Sequence, residues 1–125
     1  MADFETFDAG RVEDIAAEGE WVLVLILDDS EASHEWEGML EDASVAKWLE
    51  NFALFLMRLE TAPQQTTEAM EEWEVDEPPA ILVVAADRSV LNDSRLSVDS
   101  VDQTDDIAEY LKEQVGARRG EKEDE

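Results

Sequence analysis

Three short stretches of this 125-residue chain bring together side chains able to do chemistry. Asp28-Asp29 directly follows the longest apolar run, Trp21-Val22-Leu23-Val24-Leu25-Ile26-Leu27, and a carboxylate pair in such a place suits a hard cation such as Mg²⁺. Ser33-His34-Glu35-Trp36 sets a hydroxyl next to the only histidine of the chain. Adjacent helical residues diverge rather than face one another, so Ser33 and His34 make a poor nucleophile pair. One histidine without any cysteine also lacks the partners of a zinc site, and His34 reads most simply as an exposed residue at a helix start. Asp76-Glu77-Pro78-Pro79-Ala80 is the third stretch, and its X-Pro bonds suit a tight, chosen turn. Other carboxylates can pair as general acid and base. With 34 acidic residues, however, coincidental pairs are inevitable and specify nothing.

The strongest functional statement is an exclusion. The chain has no cysteine, so it has no disulfide framework, no thiolate metal site and no thiol redox chemistry. The formal charge of −25, from 34 acidic and 9 basic residues, argues against a nucleic-acid backbone or an anionic membrane as partner. The acidic residues are spread along the whole chain and lysine is confined to Lys47, Lys112 and Lys122. That pattern favours adaptation to a salty cytoplasm over a docking patch for a basic partner. No apolar stretch approaches the roughly 20 residues of a membrane span. Nor does Met1-Ala2-Asp3-Phe4-Glu5 resemble a signal peptide. A cytoplasmic location is expected, and no metal or cofactor.

The elements that position these stretches follow from periodicity. Asp8 or Gly10 caps a first helix with Val12, Ile15 and Ala16 on one face, and Gly19 ends it. Phe4 and Phe7 are expected to pack back on that same side. Trp21–Leu27 is apolar at every position, as in a strand covered on both faces. Ser30-Glu31-Ala32-Ser33 starts a helix whose stripe is Trp36, Met39 and Leu40, which makes Trp36 a core residue by spacing. A break at Asp42-Ala43-Ser44, capped by Ser44, leads to a second piece with Val45, Trp48, Leu49 and Phe52. Strand Ala53–Leu59 follows, then a helix begun at Pro63 with Ala69, Met70 and Trp73 inward. After Ala80–Ala86, a turn at Asp87-Arg88-Ser89 and a half-exposed strand near Val90 or Arg95–Val98 imply a hairpin. The last helix begins at Thr104 or Asp105, carries Ile107, Tyr110, Leu111 and Val115, and ends at Gly116. One domain over residues 1–116 and a charged, disordered tail over 117–125 are expected. The class is α/β, with a mixed four-stranded sheet between helices.

In this order of elements the chain resembles a thioredoxin-like domain. The likeness rests on Trp21–Leu27 with its following helix, on Glu77-Pro78-Pro79-Ala80-Ile81-Leu82-Val83-Val84, and on the closing hairpin and helix. It implies a three-layer α/β/α architecture with Pro79 in the family's cis-proline position. Gly38–Phe52, with its Asp42-Ala43-Ser44-Val45-Ala46 turn and Asn51-Phe52 end, resembles a particular subgroup. That subgroup holds domains with a Cys-x-x-Cys-His-x-Met run and the cysteine-free UAS domains. Anchored on Met39, the run falls on Ser33–Met39, and Ser33 and Trp36 take the two cysteine places.

Val24-Leu25-Ile26-Leu27-Asp28-Asp29 also looks like the first strand of a phospho-acceptor receiver domain, using Asp28/Asp29. The expected Thr/Ser-ended fourth and Lys-ended fifth strands are missing after Ala86. The favoured expectation is therefore a redox-inactive thioredoxin-like domain, not an enzyme, that binds a protein or peptide. Its expected surface is Ser33, His34, Glu35 and Trp36 with Asp76, Glu77, Pro78, Pro79 and Ala80; the oligomeric state is left open.

Overall fold

Six aliphatic residues in succession, Val22–Leu27, form strand β2. All six are fully buried. Burial on both faces of a strand requires cover on both sides. The computed structural model describes residues 4–84, 95–97 and 100–123 and provides that cover. In chain order the elements are β1 (Glu5–Thr6), α1 (Ala9–Ala17), β2, α2 (Glu31–Leu40), α3 (Ala43–Leu49), β3 (Ala53–Arg58), α4 (Pro63–Glu72), β4 (Ala80–Val84), β5 (Leu96–Ser97) and α5 (Thr104–Glu123).

The sheet order is β1-β3-β2-β4-β5. Strands β1, β3 and β2 run parallel; β4 runs antiparallel to β2, and β5 antiparallel to β4. Because side chains alternate along a strand, β2 feeds two cores. Leu23, Leu25 and Leu27 join Trp36 and Leu40 of α2, Val45 and Leu49 of α3, and Ile107, Leu111 and Val115 of α5. Val22, Val24 and Ile26 join Val12 of α1, Ala69 of α4, and Trp73. There Phe7 meets Phe55 and Trp73 edge to face, at centroid distances of 6.4 and 5.8 Å. Burying each large apolar side chain contributes about 1.5–3 kcal/mol, so β2 alone anchors both layers.

Several expectations are corrected. The sheet has five strands rather than four, because Glu5 and Thr6 pair with Phe55 and Leu56 of β3. That strand also separates the two N-terminal aromatics. Phe7 packs with the α1 side, whereas Phe4 packs against the opposite core. Asp42, not Ser44, caps α3: its carboxylate accepts from the backbone N–H of Ser44 at 2.9 Å and from the Ser44 hydroxyl at 2.7 Å. Helix α5 passes through Gly116 and continues to Glu123, so the residues expected as a tail are mostly helical. Ala85, Ala86, the turn at Asp87-Arg88-Ser89, Val90 and Val98 lie outside the described residues, but the antiparallel β4–β5 pairing expected from them is present. Of the two candidates Asp8 and Gly10, Asp8 caps α1; α2 starts within Ser30–Ser33 as expected, with Ser30 as its cap, and Pro63 stands in the first turn of α4 as expected.

Candidate functional site

Two chain segments meet at the carboxyl end of β2. The Ile26–Ala80 pair sets the chain entering β4 beside the chain leaving β2. The start of Asp28–Trp36 and the end of Asp76–Ala80 are thus neighbours, as the resemblance implied. The Pro78–Pro79 peptide is cis.

Within the first segment, Asp28 folds back over the start of α2. Its Oδ1 accepts hydrogen bonds from the Ser33 hydroxyl at 2.7 Å, the Ser30 backbone N–H at 3.0 Å and the Ser30 hydroxyl. The backbone N–H of Asp28 donates to Ser33 Oγ at 3.0 Å. Partial burial disfavours the charge on Asp28, but the hydroxyls of Ser30 and Ser33, with the backbone N–H groups, outweigh it and hold the carboxyl below its usual range. Ser33 is 1% exposed, with its hydroxyl both donating to and accepting from Asp28. It is a structural hydroxyl, and no nucleophile pair with His34 exists. The His34 ring nitrogens lie 3.6 Å from carboxylate oxygens of Asp29 and Glu37 instead.

The expected surface is therefore corrected in part. Trp36 is 2% exposed and lies in the core beside Leu40. Helical spacing already placed it there; Trp36 and Ser33 do not present themselves to a partner. Pro79 and Ala80 are buried too. His34, Glu35, Asp76 and Glu77 are exposed, and Pro78 is half-buried between them and the core.

Other residues at this end of the sheet escaped sequence reasoning. Arg58, at the end of β3, pairs with Glu37 of α2 and reaches Glu60 at 3.4 Å. Hydrogen bonding and charge from Glu37, with Glu60 beside it, raise the Arg58 pKa against the opposing effect of partial burial. A lone arginine closing an otherwise apolar strand was the available signal. Near Asp76 and Glu77, Arg95 donates through Nε to the Trp73 carbonyl at 2.5 Å and through Nη2 to Glu74 at 3.4 Å.

Among the described residues, no group of three or more His, Asp or Glu side chains is placed to hold a metal ion. No helix there is long and apolar enough to cross a membrane. The receiver alternative fails on topology, because β4 runs antiparallel to β2 whereas that fold is a doubly wound parallel sheet.

Comparison with solved structures agrees with the topology. The C-terminal domain of Neisseria meningitidis DsbD in the oxidised form superposes with a TM-score of 0.68 at 15% identity, covering 89% of this chain and 98% of that one. A disulphide isomerase from Xylella fastidiosa Temecula1 gives 0.64 at 13% identity, covering 92% and 97%. The fold is thioredoxin-like. A thioredoxin from Thermus thermophilus, at 20% identity, gives a TM-score of 0.60 over 91% of this chain and 86% of its own. No protein-family model and no curated protein matches the sequence. These neighbours share the fold with a chain that has no cysteine.

Proposed function

We propose that this thioredoxin-like chain is a redox-inactive binding domain for a protein or an extended peptide. Its contact surface is the rim of the exposed His34, Glu35, Asp76 and Glu77 with the half-buried Pro78, and Ser33, Trp36, Pro79 and Ala80 are its buried support. One observation carries the proposal. Ser33 and Trp36, which the resemblance sets at the two cysteine places, are committed to Asp28 and to the core, while His34, Glu35, Asp76 and Glu77 around them are open to solvent.

The finer assignment, to the subgroup that includes the UAS domains, is supported by the Gly38–Phe52 run alone. The proposed setting is the cytoplasm of a salt-adapted prokaryote, supported by a charge of −25 with only three lysines.

Two measurements on the purified chain test the proposal. In a dithiothreitol-driven insulin reduction assay the chain should add nothing to the background rate. A partner captured from the native lysate at high salt should be lost with His34→Ala/Glu35→Ala or with Asp76→Ala/Glu77→Ala. Disulfide reductase activity, or full recovery of the partner by both variants, overturns it.

A further inference from the structure

Beside the cis-proline loop, a small notch opens between the 74–77 segment and β5. Its cavity is about 110 Å³. Cofactor and drug-sized ligand sites run from about 300 to 1,000 Å³, and an apolar cavity of about 150 Å³ accepts a benzene. The notch therefore has room for one side chain and not for a cofactor.

Its lining is two-toned. Val75, Ala80 and Leu96 supply apolar surface, and Asp76 and Glu77 stand exposed beside them. The positive charge in the wall, Arg95, is already engaged with the Trp73 carbonyl and with Glu74. Asp76 and Glu77 have no hydrogen bond or ion pair with any described residue. An acidic guest would meet two like charges there, and an aliphatic guest would leave both carboxylates unused. A lysine or arginine side chain lays its methylenes along apolar surface and keeps its charged head at the polar edge.

From this complementarity we infer that the notch receives one lysine or arginine side chain of an extended peptide. The inference deepens the peptide-binding function proposed above and rests on it, because it assigns the chemistry of the guest at the Asp76–Ala80 part of the same rim.

The overall charge of −25 attracts any cation, so the test belongs in ~1 M KCl, where the Debye length of about 3 Å leaves only contact pairs. Three end-blocked hexapeptides, identical but for lysine, norleucine or glutamate at the centre, are titrated by fluorescence anisotropy. Backbone amide shifts map where each one binds. The lysine peptide should bind about tenfold more tightly than the norleucine peptide, and the glutamate peptide most weakly. Asp76→Asn/Glu77→Gln should abolish that preference. Glu13→Gln/Asp14→Asn makes the same charge change on the exposed face of α1 and should preserve it. Equal loss in both double variants overturns the inference, since attraction would then be diffuse. Equal binding of all three peptides, with shifts at residues 34–35 and 76–80, overturns it while leaving the peptide-binding proposal standing. Binding by none of them overturns both.

Discussion

Oδ1 of Asp28 ties the end of β2 to the first turn of α2 through three donors. Removing that acceptor leaves the buried Ser33 hydroxyl without the carboxylate that takes its proton, although the N–H of residue 28 still donates to its oxygen, a loss worth about 1–3 kcal/mol. Asp28→Ala should be less stable by that amount in urea titrations at pH 7. The sign of the pH dependence follows from the lowered carboxyl pKa. An unfolded chain binds the proton more readily, so the stabilisation is complete above the ordinary carboxylate range near about 4 and fades as pH falls through the lower folded value. Wild type and Asp28→Ala should therefore converge in acid; a gap that widens there would contradict the assignment. Little of this was legible beforehand. Asp28-Asp29 reads as a cation site because a sequence does not show that the aspartate turns back onto Ser30 and Ser33. Trp36 is the reverse case: its i, i+3, i+4 relation to Met39 and Leu40 identified a core residue, and the core is where it lies.

Helices α1 and α4 are both followed by a residue in the left-handed region, Gly19 in one case and Glu74 in the other. Past α1, Gly19 has φ +94°, and its N–H donates to the Ala16 carbonyl at 3.0 Å. Past α4, Glu74 has φ +56°; the Val75 N–H donates to the Met70 carbonyl at 2.8 Å, and the Glu74 N–H to the Glu71 carbonyl at 3.4 Å. The latter pair is the Schellman pattern, in which glycine is the favoured residue at the left-handed position. A residue with a Cβ is strained there by about 1 kcal/mol or more. Gly19→Ala should thus lower the melting temperature, by about 1 kcal/mol of stability, and Glu74→Gly should raise it by slightly less, since the Arg95 contact is lost. Equal effects of the same sign would refute the comparison. Gly19 was readable as a helix stop, whereas the left-handed Glu74 was not, because glutamate carries no such signal. Strand β1 was missed for a related reason: Glu5 and Thr6 are exposed and show no apolar pattern. Gly116 was a false stop, since good helix formers among Ala117–Glu123 allow α5 to continue.

At the scale of the whole molecule, the acidic excess among the described residues lies at the surface. Among the residues whose burial is described the only buried polar side chains are Ser33 and Thr66, so every carboxylate among them faces solvent or a partial cover. The cations Arg11, Arg58 and Arg95 are each already paired with glutamate. Self-repulsion therefore opposes folding at low ionic strength. Melting temperature should rise between ~0.1 M and ~2 M KCl as the Debye length falls from about 10 Å to below 3 Å; a flat curve would remove the case for salt adaptation. Apolar runs and helical spacing made the sheet and its layers legible at this scale, because large burial energies outweigh local ambiguity. The rim was only partly legible, because exposure depends on how each helix start is seated. The two cores have one more consequence, a spectroscopic one. Each holds a fully buried indole, Trp36 on one side of the sheet and Trp73 on the other. Trp21 and Trp48 also pack against the Trp36 core. With both replaced by phenylalanine, variants keeping only Trp36 or only Trp73 carry one optical reporter in each half, and coincident transitions from the two would identify unfolding of both layers as a single all-or-none event.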